Sequence, residues 1–170
     1  QALTQDGRIL GSTDERGMVC LWDLFDLSMI AESRFHEKAC TSIKPDYWRQ
    51  SFCTTGEDSA VILYDLAQEQ VRERLLPPPR SCGNGIPNTC LGIGGDRFPN
   101  LLVTGGADGK LRIFDQSASL KRLHTISVGS VLPTQCFAID WQLVVSASLG
   151  DSSYTGQKAD RGGVYCYDLR

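Results

Sequence analysis

One short pattern recurs four times along the 170-residue chain and constrains its fold more than any other feature. Each copy reads aliphatic, variable, small or aliphatic, aromatic, and finally Asp. The copies end at Trp22-Asp23, Tyr64-Asp65, Phe114-Asp115 and Tyr167-Asp168. The four Asp residues are 42, 50 and 53 positions apart. A period of this length is typical of repeat folds in which each repeat is one supersecondary unit.

Further strand-like runs surround each copy of this pattern. A run that ends in small residues precedes it, as in residues 52–56 and 102–106, and turn formers such as Gly17, Asp58 and Gly109 join the two. Additional candidate strands lie upstream at 40–43, 89–93 and 135–139, and more polar ones downstream at 29–32, 70–73 and 120–123. The first repeat has no clear first strand. The sequence predicts an all-β fold, a β-propeller of four-stranded antiparallel blades, here a partial propeller of about 3.5–4 blades.

With these motifs the chain resembles the WD-repeat family of β-propellers. Trp22-Asp23 is the family's signature dipeptide, and the other repeats carry Tyr or Phe in place of Trp. The repeats cover residues 1–33, 34–75, 86–126 and 132–170, and the family's Gly-His pair is kept only as a single His in the second. The resemblance implies a structural hydrogen-bond tetrad in that repeat, formed by His36, Thr55, Asp58 and Tyr64. We expect residues 1–170 to be a segment of a larger propeller, or an arc capped by a partner.

The charge and the cysteine content indicate which classes of partner and which cellular compartment to expect. The net charge is −3 with both signs scattered, which predicts neither a nucleic-acid footprint nor a basic membrane-binding face. The longest apolar runs fall short of the roughly 20 residues that span a bilayer. The seven cysteines are widely spaced and odd in number, so we expect reduced thiols in a cytoplasmic or nuclear protein. In the repeat motifs we expect Cys20 and Cys166 to be buried and slow to react.

A search for chemistry yields no catalytic residue, no metal site and no cofactor motif. The two histidines, His36 and His124, form no cluster with cysteines, and the glycines at 92–95 precede no helix pattern that would bind phosphate. The recurring Asp residues are explained as one structural residue per blade. No small-molecule substrate is therefore expected.

Two segments interrupt the repeat and are candidates for partner binding, because loops are free of the packing duties of strands. They span residues 75–88 and 149–161. Their candidate contact residues are Pro77, Pro78, Pro79, Arg80, Tyr154, Lys158 and Arg161. Tolerated insertions are the alternative interpretation. Trp48 and Trp141 fall in turns at the opposite end, where each is either a contact anchor or packed on its own hairpin.

The sequence therefore predicts a non-catalytic scaffold for protein–protein interaction, a subunit of a multiprotein assembly. Its partners would be other proteins or the rest of its own propeller. One alternative is a substrate-recognition module, such as a ubiquitin-ligase receptor, which would need converging Arg residues or an aromatic pocket. A propeller enzyme is an alternative of another class and would need converging acids or metal ligands.

Overall fold

The chain is nearly all β in a computed structural model that describes residues 1–76, 85–128, 132–139, 142–148 and 163–168. Its strands form four antiparallel sheets in sequence order, as expected for propeller blades, so the predicted fold class is confirmed. The chain divides into two compact units, residues 1–85 and residues 86–170. Each unit contains two sheets, which we call sheets 1 and 2 in the first unit and sheets 3 and 4 in the second.

The first unit consists of two four-stranded sheets whose neighbouring strands follow one another in sequence. Sheet 1 contains β1 (Ala2–Leu3), β2 (Ile9–Thr13), β3 (Met18–Asp23) and β4 (Ser28–Arg34). Sheet 2 contains β5 (Cys40–Asp46), β6 (Ser51–Gly56), β7 (Val61–Asp65) and β8 (Gln70–Leu75). The strand β1 is only two residues long and pairs with β2, which completes a sheet that the sequence predicts without a clear first strand.

The second unit repeats this order. Sheet 3 contains β9 (Asn88–Ile93), β10 (Leu101–Gly106), β11 (Lys110–Asp115) and β12 (Lys121–Ser127), with a short 3-10 helix at Gln116–Ala118. The described strands of sheet 4 are β13 (Leu132–Ile139), β14 (Gln142–Ser148) and β15 (Gly163–Asp168). Within the described residues, β15 is therefore an edge strand.

The tight turns before the aromatic strands contain residues in the left-handed region. Gly17 has φ +81°, Ser59 +67° and Gly109 +68°. At Gly17 a side chain is excluded twice over, by the backbone angle and by the carbonyl oxygens of His36 and Lys38, which lie where a Cβ would stand. The segment that joins sheet 1 to sheet 2 therefore lies against the turn between β2 and β3. The amides of Phe35 and His36 both donate to the Gly17 carbonyl there, at 3.1 and 3.2 Å.

Each sheet has two distinct faces, because side chains alternate along a strand. We call the face that carries the aromatic residue of the aromatic–Asp pair the aromatic face, and the opposite one the aliphatic face. In the first unit, Phe52 and Tyr64 on the aromatic face of sheet 2 form one buried cluster with Val19 and Leu21 on the aliphatic face of sheet 1. The sheets therefore stack aromatic face on aliphatic face.

The second unit is stacked in the same way. Leu143 and the partly buried Tyr167, which are paired across β14 and β15, pack on a cluster that includes Val103, Leu111 and Ile113 of sheet 3. The same face-to-face arrangement thus occurs in both units. This repetition is the structural counterpart of the repeat in the sequence.

The expectation that Cys20 and Cys166 are both buried is wrong, and their slow reaction with a thiol reagent stays a prediction. Cys166 is exposed and Cys20 is only half-buried. Cys166 lies on the aliphatic face of the edge strand β15, and Cys20 lies on the aromatic face of sheet 1 beside Trp22. The burial of such positions depends on a second sheet over the same face, which the register of a single strand does not reveal.

Candidate protein-interaction surfaces

A buried hydrogen-bond network surrounds His36, in the segment between sheets 1 and 2. The ring Nδ1 lies 2.9 Å from Asp58 Oδ1, and Nε2 lies 2.9 Å from Thr54 Oγ1. A carboxylate only accepts hydrogen bonds, so Nδ1 carries a proton, and in the neutral ring Nε2 accepts the Thr54 hydroxyl proton. Burial raises the pKa of the Asp58 carboxyl, but hydrogen bonds from the His36 ring and the Glu37 amide outweigh this and lower that pKa below its usual value.

The structure corrects one member of the tetrad that the family resemblance implied. The side chain that contacts His36 belongs to Thr54, not to Thr55. His36 lies toward sheet 1, and so does the face of β6 that carries Thr54, whereas Thr55 points away and meets the hydroxyl of Thr41 at 3.3 Å. A displacement of one residue along a strand exchanges its faces, which is why the tetrad implied by the resemblance named the wrong threonine. Tyr64 packs its ring on Phe35, with the ring centroids 5.5 Å apart.

Sheet 3 carries the same turn with a different partner for its acid. Asp108 occupies the position of Asp58, three residues before the aliphatic start of the next motif. Its carboxylate is held by Arg112 from the adjoining strand, at 2.7 and 3.1 Å. Thr104, the counterpart of Thr54, is buried, and within the described part of the chain its hydroxyl has no hydrogen-bond partner. In both sheets the turn carboxylate is thus engaged by hydrogen bonds from neighbouring side chains.

A cleft of about 680 Å³ opens between sheets 1 and 2 at the end where β1 turns into β2 and β5 turns into β6. Sheet 1 contributes residues of its first turn, together with Asp23 and Ile30, and sheet 2 contributes Pro45, Tyr47 and Glu69. A second cavity of about 520 Å³ adjoins it and is lined by the same first turn and by the turn after β3. Four of the six hairpin turns of the first unit thus contribute to these two cavities, which share Asp6 and Arg8 and which we together call the recess.

Large apolar side chains project beside this recess. Phe25 is 90% exposed and Leu27 77% exposed in the turn after β3, and Tyr47 and Trp48 are each 54% exposed in the turn after β5. We call these four residues the apolar rim. Scattered exposed apolar residues are ordinary on a protein surface, but a group of this size at one end is typical of a binding surface.

The recess is acidic. Its lining carries four carboxylates, those of Asp6, Asp23, Asp46 and Glu69, and one guanidinium, that of Arg8, which is paired with Asp23. The buried Asp46 carboxylate is paired with Arg49 at 3.3 Å, so the negative charge that the recess offers comes from Asp6 and Glu69. Hydrogen bonds from the Thr4 hydroxyl to Asp6, and from Arg8 to Asp23, hold the pKa of each of these two carboxyls below its ordinary value. Both groups therefore stay ionised well below neutral pH. The surplus of negative charge favours a cationic partner.

The candidate contact residues of the two sequence insertions lie outside the described residues, as do Trp141 and Cys82. These are Pro77, Pro78, Pro79, Arg80, Tyr154, Lys158 and Arg161. Of the residues singled out in the sequence, Trp48 is the one that the structure places on the apolar rim. Sequence reasoning missed Phe25, Leu27 and Tyr47, although apolar residues inside a predicted turn were a usable signal.

Comparisons with known proteins leave the family open. A scan against models of known protein families finds no match. A search of curated proteins finds no match either. Among the described residues, no helix is long and apolar enough to cross a membrane, and no three His, Cys, Asp or Glu side chains are grouped so that they could hold a metal ion.

Proposed function

We propose that this chain is a non-catalytic protein-interaction scaffold of the WD-repeat type, which works inside the cell as a subunit of a multiprotein assembly. We further propose that the recess between sheets 1 and 2 and its apolar rim bind a partner segment that carries basic residues next to apolar ones. One observation carries this proposal: Tyr47 and Phe25 line the acidic recess, and Trp48 and Leu27 are exposed in the same two turns.

The chemistry of the surface supports this kind of partner. Aromatic side chains anchor interfaces because they bury a large area at a small cost in conformational entropy, and Trp and Tyr are among the residues whose loss weakens binding most. A Lys or Arg beside the buried apolar groups would meet the carboxylates of the recess. Those charges would favour a basic segment over an acidic one and increase its rate of association at low salt.

Selection from a random dodecapeptide phage library on the immobilised 170-residue protein tests the proposal. The enriched clones are expected to share a Lys or Arg adjacent to an aromatic or aliphatic residue. Synthetic peptides of the consensus should bind less tightly as the salt concentration rises. A selection without a consensus, or with an acidic consensus, would contradict the proposed partner.

Two substitutions locate the binding surface. Phe25→Ser and Trp48→Ser each remove an exposed side chain and should change stability by less than about 0.5 kcal/mol. Each should weaken consensus-peptide binding by about 30-fold, the loss typical of a central interface residue. Leu123→Ser is the matched control, since Leu123 is 45% exposed on β12 of the other unit. Equal affinity for all four proteins would place binding elsewhere.

A further inference from the structure

Two buried thiols meet where sheets 3 and 4 pack against each other in the second unit. Cys90 lies on β9 and Cys136 on β13, and their Sγ atoms are 3.6 Å apart. The two residues are 2% and 3% exposed, and both belong to the buried cluster of this unit. They are 46 positions apart in the sequence, so the stacking of the two sheets is what brings them into contact.

Hydrogen bonds direct the two sulfur atoms toward each other. The Cys90 thiol donates to the sulfur of Cys136, and the Cys136 thiol donates to the Val103 carbonyl at 3.6 Å. Val103 belongs to β10, so the Cys136 side chain reaches from sheet 4 to the backbone of sheet 3. Each thiol thus already faces the atom with which it would form a covalent bond.

Two glycines of sheet 3 keep space beside the sulfur atoms. A Cβ at Gly105, which pairs with Cys90, would lie 2.6 Å from Cys90 Sγ, and a Cβ at Gly92 would lie 3.0 Å from Cys136 Sγ. Neither glycine has a positive φ, so the close approach of β13, and not a turn, accounts for both. The sulfur atoms need to approach by only about 1.6 Å to reach the bonded distance of about 2.0 Å.

We propose that Cys90 and Cys136 are a redox-sensitive pair, which hydrogen peroxide oxidises to a disulfide that joins sheet 3 to sheet 4. One thiol loses its proton and attacks the peroxide, whose O–O bond breaks, and it becomes a sulfenic acid as the first water leaves. The second thiol then attacks the sulfenic sulfur, the S–S bond forms, and the second water leaves. The two thiols are oxidised by two electrons, and the peroxide is reduced to two molecules of water.

Burial determines when this reaction takes place and what it changes. The packed sheets shield both thiols, so the peroxide reaches them when sheet 4 separates transiently from sheet 3. The product is uncharged and suits the apolar cluster, whereas a pair of thiolates would carry charge into it. The disulfide closes a long loop and opposes further separation of the sheets. Oxidation is therefore expected to stabilise the second unit.

The first unit carries a different side chain at the same junction. Ile43 pairs with Thr54 as Cys136 pairs with Val145, and it is buried against sheet 1. The proposed response is thus confined to the second unit, and the first unit is an internal control. Since the argument uses contacts of the second unit alone, it is independent of the function proposed for the recess.

Peptide mapping of the oxidised 170-residue chain tests the proposal, in a Cys166→Ser background that removes the exposed thiol. After treatment with hydrogen peroxide, alkylation of the remaining thiols and digestion without reductant, the cross-link between Cys90 and Cys136 is expected to be the main disulfide. In urea the same treatment should favour cysteines close in sequence, such as Cys40 and Cys53, because short loops close more readily. A folded chain in which another pair predominates, or in which Cys90 and Cys136 stay reduced, overturns the proposal.

Hydrogen exchange measures the effect of the cross-link. In the oxidised chain the amides of β10, β11 and β14 should exchange at least about tenfold more slowly, and dithiothreitol should restore the original rates. The amides of β6 and β7 in the first unit should not change. Equal rates in β10, β11 and β14 before and after formation of the disulfide would show that it does not restrain the sheets, and the proposal would be wrong.

Three alanine variants assign the effect to the pair. Cys90→Ala and Cys136→Ala should each abolish both the cross-link and the slower exchange. Cys53→Ala is the matched control, because it truncates an equally buried thiol in the first unit and should abolish neither. Slower exchange that persists in Cys136→Ala after oxidation would contradict the assignment. Circular dichroism establishes that each variant retains its β-structure.

Discussion

The hydroxyl of Thr54 provides the sharpest test of the network around His36. Thr54→Val keeps the shape and the strand preference of the side chain but removes the hydrogen bond of 2.9 Å to His36 Nε2. Both residues are buried, so the ring nitrogen is left without a partner and without water. A buried polar group in this state costs about 1–3 kcal/mol, which is the expected loss in the free energy of unfolding.

The neighbouring residue is the matched control on the same strand. Thr55→Val removes a hydroxyl contact of 3.3 Å with Thr41, while the Thr41 hydroxyl still donates to the Thr55 carbonyl at 3.1 Å. The expected loss is below about 1 kcal/mol. Urea unfolding followed by tryptophan fluorescence measures the free energy of unfolding of both variants. The experiment uses a Trp141→Phe background, in which Trp22 and Trp48 report on the first unit. A loss for Thr55→Val that equals or exceeds that for Thr54→Val would refute the reasoning.

Sheet 3 offers the reciprocal experiment at the equivalent position. The Thr104 hydroxyl is buried without a hydrogen-bond partner in the described part of the chain, so Thr104→Val removes an unfavourable group instead of a favourable bond. The substitution should leave stability unchanged or increase it slightly. Hydrogen exchange of the β10 and β11 amides reports on this unit. Faster exchange after the substitution would indicate that the hydroxyl has a partner after all.

Three further predictions concern the first unit. The pKa of the Asp58 carboxyl is lower in the folded state than its unfolded value near 3.8, so the stability that this carboxylate contributes is complete above that value and is lost as the pH falls through the folded-state pKa. Asp58→Asn should therefore flatten the dependence of stability on pH in that acid range, which urea midpoints measure. Tyr64→Ala should cost about 3–5 kcal/mol in urea unfolding because its ring is buried between the two sheets, and a loss below about 1 kcal/mol would contradict that packing. Gly11→Val should cost about 1–3 kcal/mol, because a Cβ there would stand 2.6 Å from Ile43 Cδ1 and 3.0 Å from Phe52 Cε1; thermal melts that match the wild type would show that the interface yields without strain.

The sequence predicted most of the strands and the residues that turn the chain between them. The four aromatic–Asp pairs set the period, and Gly17, Ser59 and Gly109 stood where the structure has positive φ angles. These features are local, because a strand alternates and a tight turn selects its residues within a few positions. The two-residue strand β1 was missed since so short a run carries no periodic signal.

What could not be predicted depends on the faces that meet in space. Whether Thr54 or Thr55 contacts His36 depends on which side of β6 the segment between sheets 1 and 2 passes. The exposure of Cys166 depends on what lies over its face, although the residue occupies the same motif position as the buried Leu21. The recess is formed by turns that are distant in sequence, and its rim residue Phe25 belongs to no repeat motif. Spatial convergence of this kind leaves no pattern along a single chain.

The short segment between sheets 1 and 2 has a consequence for the order of events during synthesis. Its amides at Phe35 and His36 donate to the Gly17 carbonyl, and the amide of Cys40 donates to the Asp14 carbonyl. All of these acceptors belong to a hairpin that has left the ribosome before the segment emerges. We expect the segment to dock on this hairpin before β6 and β7 have emerged from the ribosome, so that the first sheet is already in place when the second sheet packs against it.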